Sequence, residues 1–453
     1  MTTKIINVQG PQSLPTHAAR LDSLYSRIRW RLLPLLMLCY MVAFLDRVNI
    51  GYAQLQMKQT LPFSDAVYGL GAGIFFVGYF LFEVPSNLML QRSGVRKTLL
   101  RIMVCWGLVA SAMMFVRTPL QFYVLRFLLG AFEAGFFPGV ILYFTFWFPA
   151  ARRGQVIALF MTAAACAGLI AGPLSGSILK YLNGVAGFNG WQWLFVLQGL
   201  PASVLGVVAF LYLQDGPDQA KWLSTAEKRL LSDDLAQELK NRKDRSLHTV
   251  GQMFRDPKVY LLSTAYFMFL GATYMLVFWM PSLIQGWGVA DLLLVGLITT
   301  IPNIVGIVGT IVIGLHSDKR HERRWHFVCC MGLAVFGLGI TTLLNGHLVM
   351  SVAALSLAYL GIKAATPLFF ALVSEYLSVA SAAAGIALIS SLGNLGPAVT
   401  PWLNGVINSH TGGHVSSMYL GIGMYLLAGL LVLLSAGTAG AARVSPGIAL
   451  ATK

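Results

Sequence analysis

The stretch RFLLGAFEAGFFP, residues 126–138, decides how the whole chain is read. It lies inside an apolar run from 120 to 147, long enough to cross a bilayer, yet it holds Arg126 and Glu133. Seven residues span nearly two helical turns, which puts both side chains on almost the same face. A charge at the bilayer centre costs about 2.5–3.5 kcal/mol on insertion scales, so such residues tend to line polar cavities and carry function. The plainer reading is a static ion pair that locks two helices together. A second apolar run, LCYMVAFLDRVNIGY at 38–52, repeats the peculiarity with Asp46 and Arg47. Two buried acid–base sets in the first four spans make a candidate site.

Composition fixes the class. Of 453 residues, 57% are hydrophobic and only 11% charged, against about 25% charged in a soluble domain. The expectation is an all-α polytopic membrane protein with twelve transmembrane helices. Their places are near 32–54, 67–90, 98–116, 120–147, 154–180, 191–213, 258–284, 292–315, 326–346, 349–377, 381–408 and 416–440. The first thirty residues are polar without a cleavable apolar core, so no signal peptide is expected.

Basic residues set the expected orientation. With both termini cytoplasmic, the inner segments carry 26 of the 32 Lys and Arg residues, a strong positive-inside signal. Three fall in outer loops (Lys58, Arg117, Lys180) and three in helices (Arg47, Arg126, Lys363). The net charge of +15 is therefore juxtamembrane and suits anionic lipid headgroups, with no need for nucleic acid. The five cysteines fall in or beside apolar spans, and neither they nor the histidines show metal-ligand spacing. No phosphate-cradling GxxxxGK[ST] motif occurs, so nothing supports ATP-driven transport, and no cofactor is expected.

The chain divides in the middle. A cytoplasmic tail (1–31) leads to a six-helix bundle (32–213), then a polar connector (214–257), a second six-helix bundle (258–440) and a tail (441–453). In the connector, Ser224 caps a segment with Leu230, Leu231, Leu235 and Leu239 at helical spacing. It reads as an amphipathic helix along the inner membrane face. The bundles repeat. NLMLQRSGVRK, from Asn87, aligns without a gap on GLHSDKRHERR, from Gly314, at an offset of 227 residues. Arg96 and Lys97 then match Arg323 and Arg324, while Gln91 stands in the place of Asp318.

Twelve helices in two repeated halves, each with a basic loop after its second helix, resemble the major facilitator superfamily. The second loop fits that superfamily's G-x-x-x-D-(R/K)-x-x-x-R-R signature, and the first departs from it at Asn87 and Gln91. FLDRVNIG (44–51), YFLFEVPSNLML (79–90), YVLRFLLGAFEAGFFPG (123–139), WFPAARRG (147–154) and GIALISSLGNLGP (385–397) resemble its anion:cation symporter family. The similarity is to the bacterial branch of tartrate, sugar-acid, phthalate and 4-hydroxyphenylacetate permeases. That resemblance implies proton-driven import of a small organic anion. It implies carboxylate binding by Arg47 and Arg126 and proton uptake by Asp46 and Glu133.

Physical chemistry agrees. A carboxylate that loses its hydration needs a cation, and guanidinium offers a planar, bidentate one that stays charged. Glu133 and Asp46 would neutralise the arginines when substrate is absent, and protonating them would free the arginines, which links proton and anion binding reciprocally.

Weaker signals complete the set. Glu83, in FEVPSN, reads as a gating or structural hydrogen-bonding group, and Tyr79, one turn earlier, as a ligand for a substrate hydroxyl. Asn394 is helix-packing glue or a substrate ligand, and the resemblance favours the ligand. Tyr274 falls at the repeat position of Arg47, which suggests a cavity-facing side chain. Asp318, Arg323 and Arg324 read as structural loop residues. Lys363 snorkels, pairs with an acid, or charges a second substrate carboxylate, and the structural roles are the default for such a lysine.

The reading is a monomeric, multi-pass symporter of the bacterial inner membrane, working by alternating access, not an enzyme. Its alternatives are an anion exchanger of the same fold, an importer of aromatic carboxylates and, more remotely, a membrane sensor or enzyme.

Overall fold

A computed structural model describes residues 17–242, 255–344, 347–377, 382–413 and 415–435. The described residues are almost entirely helical, without strands. In a bilayer each backbone amide must bond within its own segment, which the helix alone achieves in a chain of this pattern. In order the helices are α1 (His17–Thr60), α2 (Asp65–Ser93), α3 (Val95–Ala112), α4 (Pro119–Glu133), α5 (Phe136–Trp147), α6 (Ala150–Tyr181), α7 (Gly190–Tyr212) and α8 (Thr225–Arg242). Then come α9 (Pro257–Gly286), α10 (Leu292–Arg320), α11 (Arg324–Leu343), α12 (Leu348–Tyr376), α13 (Ala382–Gly393), α14 (Leu395–Thr411) and α15 (Val415–Leu434).

Eleven helical stretches are long and apolar enough to cross a membrane, with α4 and α5 taken together. The remaining span, expected at 381–408, is split at Asn394 into α13 and α14. The fourth span is also broken, at Ala134 and Gly135. A Cβ on Gly135 would lie 2.0 Å from Ser86 Oγ, so the break is seated directly on α2. Helix starts carry their own signals. Thr118 and Gln121 form a capping box before α4, and Asp291 accepts from the Leu293 and Leu294 amides at the start of α10.

Two features differ from the sequence reading. The first helix begins at His17, well inside the segment taken as a tail, because Leu24, Tyr25 and Ile28 bury against the N-terminal core. The connector helix is present, but Leu231 is fully buried and Leu230 and Leu235 pack on that same core. Arg27 pairs with Glu227, and Tyr25 donates to Asp234 at 2.5 Å. This apolar stripe is therefore turned toward protein. The Leu239 side chain and residues 441–453 lie outside the described residues.

Each half has its own core. Trp106, Trp147, Trp191 and Phe144 anchor the first, and Tyr359, Phe369, Phe269 and Tyr425 the second. The repeat is visible in the helices: α2 and α10 are both 29 residues long and start and end at the offset of 227.

The halves meet mainly at the end opposite the connector, where glycines bring backbones into contact. A Cβ on Gly172 would lie 2.1 Å from Gly296 O, one on Gly69 2.2 Å from Pro401 O, and one on Gly405 2.1 Å from Asp65 O. Lys180 pairs with Asp291 there, Tyr52 shares a hydrogen bond of 2.9 Å with Thr299, and Gln54 donates to Ser282 Oγ at 2.6 Å. Among the described residues this far end is closed.

Candidate functional site

The site lies at mid-depth, where α1, α2 and α4 face α9. Arg126 is fully buried on α4, one turn before the point where Gly130 lets α4 touch α2; a Cβ on Gly130 would lie 1.9 Å from Phe75 O. Its Nε donates to Gly71 O at 3.1 Å and its guanidinium lies over the Phe75 ring, 4.9 Å from the centroid. Its two terminal nitrogens, Nη1 and Nη2, have no hydrogen-bond partner. An unsatisfied buried donor of this kind is costly, and a charged one more so.

Glu133 does not pair with Arg126, although both project from one face. It accepts from Arg47 Nη2 across the bundle, and its Oε2 is left free. Arg47 also points Nη1 at the Tyr274 hydroxyl, at 3.4 Å, and lies over the rings of Phe75 and Tyr79, 5.6 and 5.4 Å from their centroids. Tyr274 comes from the other half and stands at the repeat position of Arg47, 227 residues away. Tyr274 in turn meets Phe76 edge-on.

Asp46 behaves differently from the sequence expectation. It is fully buried but touches neither arginine: Trp106 Nε1 donates to Oδ2 at 2.7 Å and Asn49 Nδ2 to Oδ1 at 2.9 Å. Arg126 is thus left without an ionic partner among the described residues. Trp106 and Asn49 escaped the sequence reading. Asn49 stands three residues after Asp46, a helical spacing that signals a same-face neighbour. Trp106, alone in its apolar span, gave no signal for the aspartate it would find.

The remaining residues fall in three places. Asn394 stands at the junction of α13 and α14, and its side chain makes no hydrogen bond among the described residues. Glu83, on α2, lies beside Ser391 of α13 in the other half. Lys363 stands near the middle of α12, with no carboxylate beside it among the described residues and its ammonium 5.8 Å from the Tyr359 ring.

The loops at the connector end solve one problem twice. After α10, Arg323 pairs with Asp318 at 2.5 Å and reaches Glu375 at 3.4 Å, while Arg324 donates to Leu433 O. After α2, Arg96 donates to Phe210 O at 2.7 Å from Nη2, and its amide donates to Asp215 at 2.8 Å. Gly94, at φ 82°, is what lets that turn close, since a Cβ there would lie 2.9 Å from Asp215 Oδ1. Asp215, 119 residues away from Arg96, thus supplies the acid that Gln91 does not.

A closed bundle of two six-helix halves with a polar site at mid-depth defines a multi-pass membrane transporter. Residues 36–362 and 290–449 match the model of the Major Facilitator Superfamily. The chain is 44% identical over 411 residues to a candidate metabolite transport protein, NicT, of Pseudomonas putida, covering 91% of this chain and 94% of that one. It is 43% identical over 410 residues to a candidate tartrate transporter of Agrobacterium vitis, covering 90% of each. A quinolone resistance transporter of Acinetobacter baumannii is 40% identical over 409 residues, covering 89% and 93%. Among solved structures, an inward-facing bacterial homologue of the human lysosomal transporter Spinster superposes with a TM-score of 0.75 at 16% identity, over 90% and 97% of the chains. The chain belongs to the major facilitator superfamily.

Proposed function

We propose that this transporter imports a small organic anion together with protons across a bacterial inner membrane. The observation that carries the proposal is Arg126: a fully buried guanidinium with both terminal nitrogens unpartnered, in a span where every unpaired charge is expensive. A carboxylate is the ligand that satisfies those two donors at once. Arg47, held by Glu133, is the second guanidinium of the site. Protonation of Glu133 releases Arg47 toward the substrate, so proton and anion strengthen each other's binding. Asp46, held by Trp106 and Asn49, ties α1 to α3 and acts on the site through the position of Arg47. The relatives named for tartrate transport support the carboxylate reading, since tartrate carries that group. With the connector cytoplasmic, as the basic residues imply, closure at the far end is the inward-facing arrangement.

The test is uptake into proteoliposomes under an imposed pH gradient, preceded by a thermal-shift screen against hydroxy acids, aldarates and aromatic acids. A ligand that stabilises the protein and accumulates with the gradient supports the proposal. Counterflow that ignores the gradient selects an anion exchanger.

A further inference from the structure

The first half holds both arginines, and a substrate with one carboxylate needs nothing more. Lys363 is then a cation without an assignment. It is the sixteenth of the 29 residues of α12, so about 20 Å of helix separates it from either end, roughly three times the reach of a lysine side chain. Snorkelling to an interface is excluded by that distance. Pairing with an acid is excluded too, because the carboxylates within the described spans, Asp46, Glu83 and Glu133, have other neighbours, Trp106 and Asn49, Ser391, and Arg47.

The surroundings are built to hold it. The stem of Lys363 lies on Gly306 of α10, where a Cβ would come within 2.5 Å of its Cγ. Gly306 is the repeat partner of Tyr79, the residue whose ring underlies Arg47 in the first half. Where one half has an aromatic ring facing the site, the other has a vacancy filled by a lysine stem. The fourth span and α12 are each 29 residues long, and Pro138 and Pro367 occupy the same place in each. In that register Lys363 stands one residue past the counterpart of Glu133, at the depth of the site. Its neighbours Ile362 and Ala364 are fully buried, yet Lys363 keeps accessible surface. That surface lies at mid-depth, beside the Tyr359 ring. One turn away, the Tyr359 hydroxyl is buried without a hydrogen-bond partner. An ammonium and an orphaned hydroxyl side by side, with no anion of the protein's own, need an anion from outside.

We infer that Lys363, with the Tyr359 hydroxyl, forms a second anion subsite that takes the far carboxylate of a dicarboxylic substrate. The inference rests on the organic-anion reading above, in which the arginines of the first half hold the near carboxylate. A substrate carrying both charges then bridges the halves, and its length is read between Arg126 and Lys363. A monocarboxylate leaves the lysine unmatched.

The experiment compares acids that differ by one charge and little else: tartrate against its monoamide, and an aldaric acid against the matching aldonic acid. Affinities are measured on purified wild type, Lys363→Met, Lys363→Arg and Gly306→Ala, with the ligand-free melting temperature as the control for folding. Wild type should favour the diacid of each pair. Lys363→Met should lose that preference by weakening the diacid about 10- to 100-fold while the monoacid stays within about threefold. Lys363→Arg should keep part of the preference, and Gly306→Ala, which displaces the stem, should reduce it. Equal loss for both acids, no loss for either, or wild-type preference for the monoacids would overturn the subsite and leave the organic-anion reading standing. Failure of wild type to bind any acid in the series would remove that reading, and this subsite with it.

Discussion

In the first half, Asp46, Arg47, Arg126 and Glu133 crowd into one polar layer, with Arg47 pairing to Glu133 across the bundle. The matching positions of the second half, by the same helical registers, are Thr273, Tyr274, Leu355 and Ile362. Both halves keep the helix lengths, the close glycine contacts and the basic loop of a common repeat. The charges did not follow. Concentrating them in one half confines the costly desolvation to a single set of packed helices, and the other half can move against that set without breaking an ion pair of the polar layer. What the second half offers is neutral, apart from Lys363.

The largest effect should come from breaking the charged side. Arg126→Lys keeps the charge but cannot present two parallel donors, so substrate affinity should fall about 10- to 100-fold with the fold intact. Wild-type affinity in that variant would make Arg126 a structural residue. Glu133→Gln should still bind and exchange substrate, because Arg47 is freed, yet it should lose accumulation driven by a pH gradient. Accumulation that survives in Glu133→Gln would move the coupling elsewhere, and Asp46→Asn is then the variant to read.

The seam between halves gives a more balanced test. Gly172 and Gly296 each face the other's carbonyl at 2.1 Å from a would-be Cβ. Leu at either position should hinder closure of the far end to a similar degree. Overpacking costs about 1–3 kcal/mol, enough to cut turnover about tenfold while substrate still binds. A strong effect at only one of the two would show that the seam is not symmetric. Thiol labelling of Gln54→Cys, which lies in this seam, reads the opening directly.

The smallest effect belongs to the exposed pair at the same end. The hydrogen bond from Lys180 holds the Asp291 carboxyl below the usual carboxylate range. A depressed acid contributes above its unshifted value and loses that contribution as pH falls through the lowered one. The pair is therefore intact from about pH 5 upward, and Lys180→Ala should change uptake by no more than about twofold. A pH-dependent defect near neutrality in that variant would show the pair to be more than a surface contact.

Much of this was legible in the chain itself. Apolar runs of spanning length, the offset repeat and the asymmetric basic residues determined the helices, the two halves and the expected orientation, because each is a local property of sequence. The buried charges were legible too, since an arginine or glutamate in an apolar run stands out wherever the helix lies. What only the tertiary structure decided was the partner of each charge. Helical period put Arg126 and Glu133 on one face, but Glu133 reaches Arg47, 86 residues away. Asp46 meets Trp106, and Gln91 is replaced by Asp215 at the loop. The breaks at Gly135 and Asn394 were equally invisible, as was the buried face of α8. Periodicity fixes the direction of a side chain around its own axis. Rotation, depth and tilt of one helix against another are fixed by where backbones can touch, as Gly130 touches Phe75 and Gly306 receives Lys363, and those contacts join residues that sequence spacing never relates.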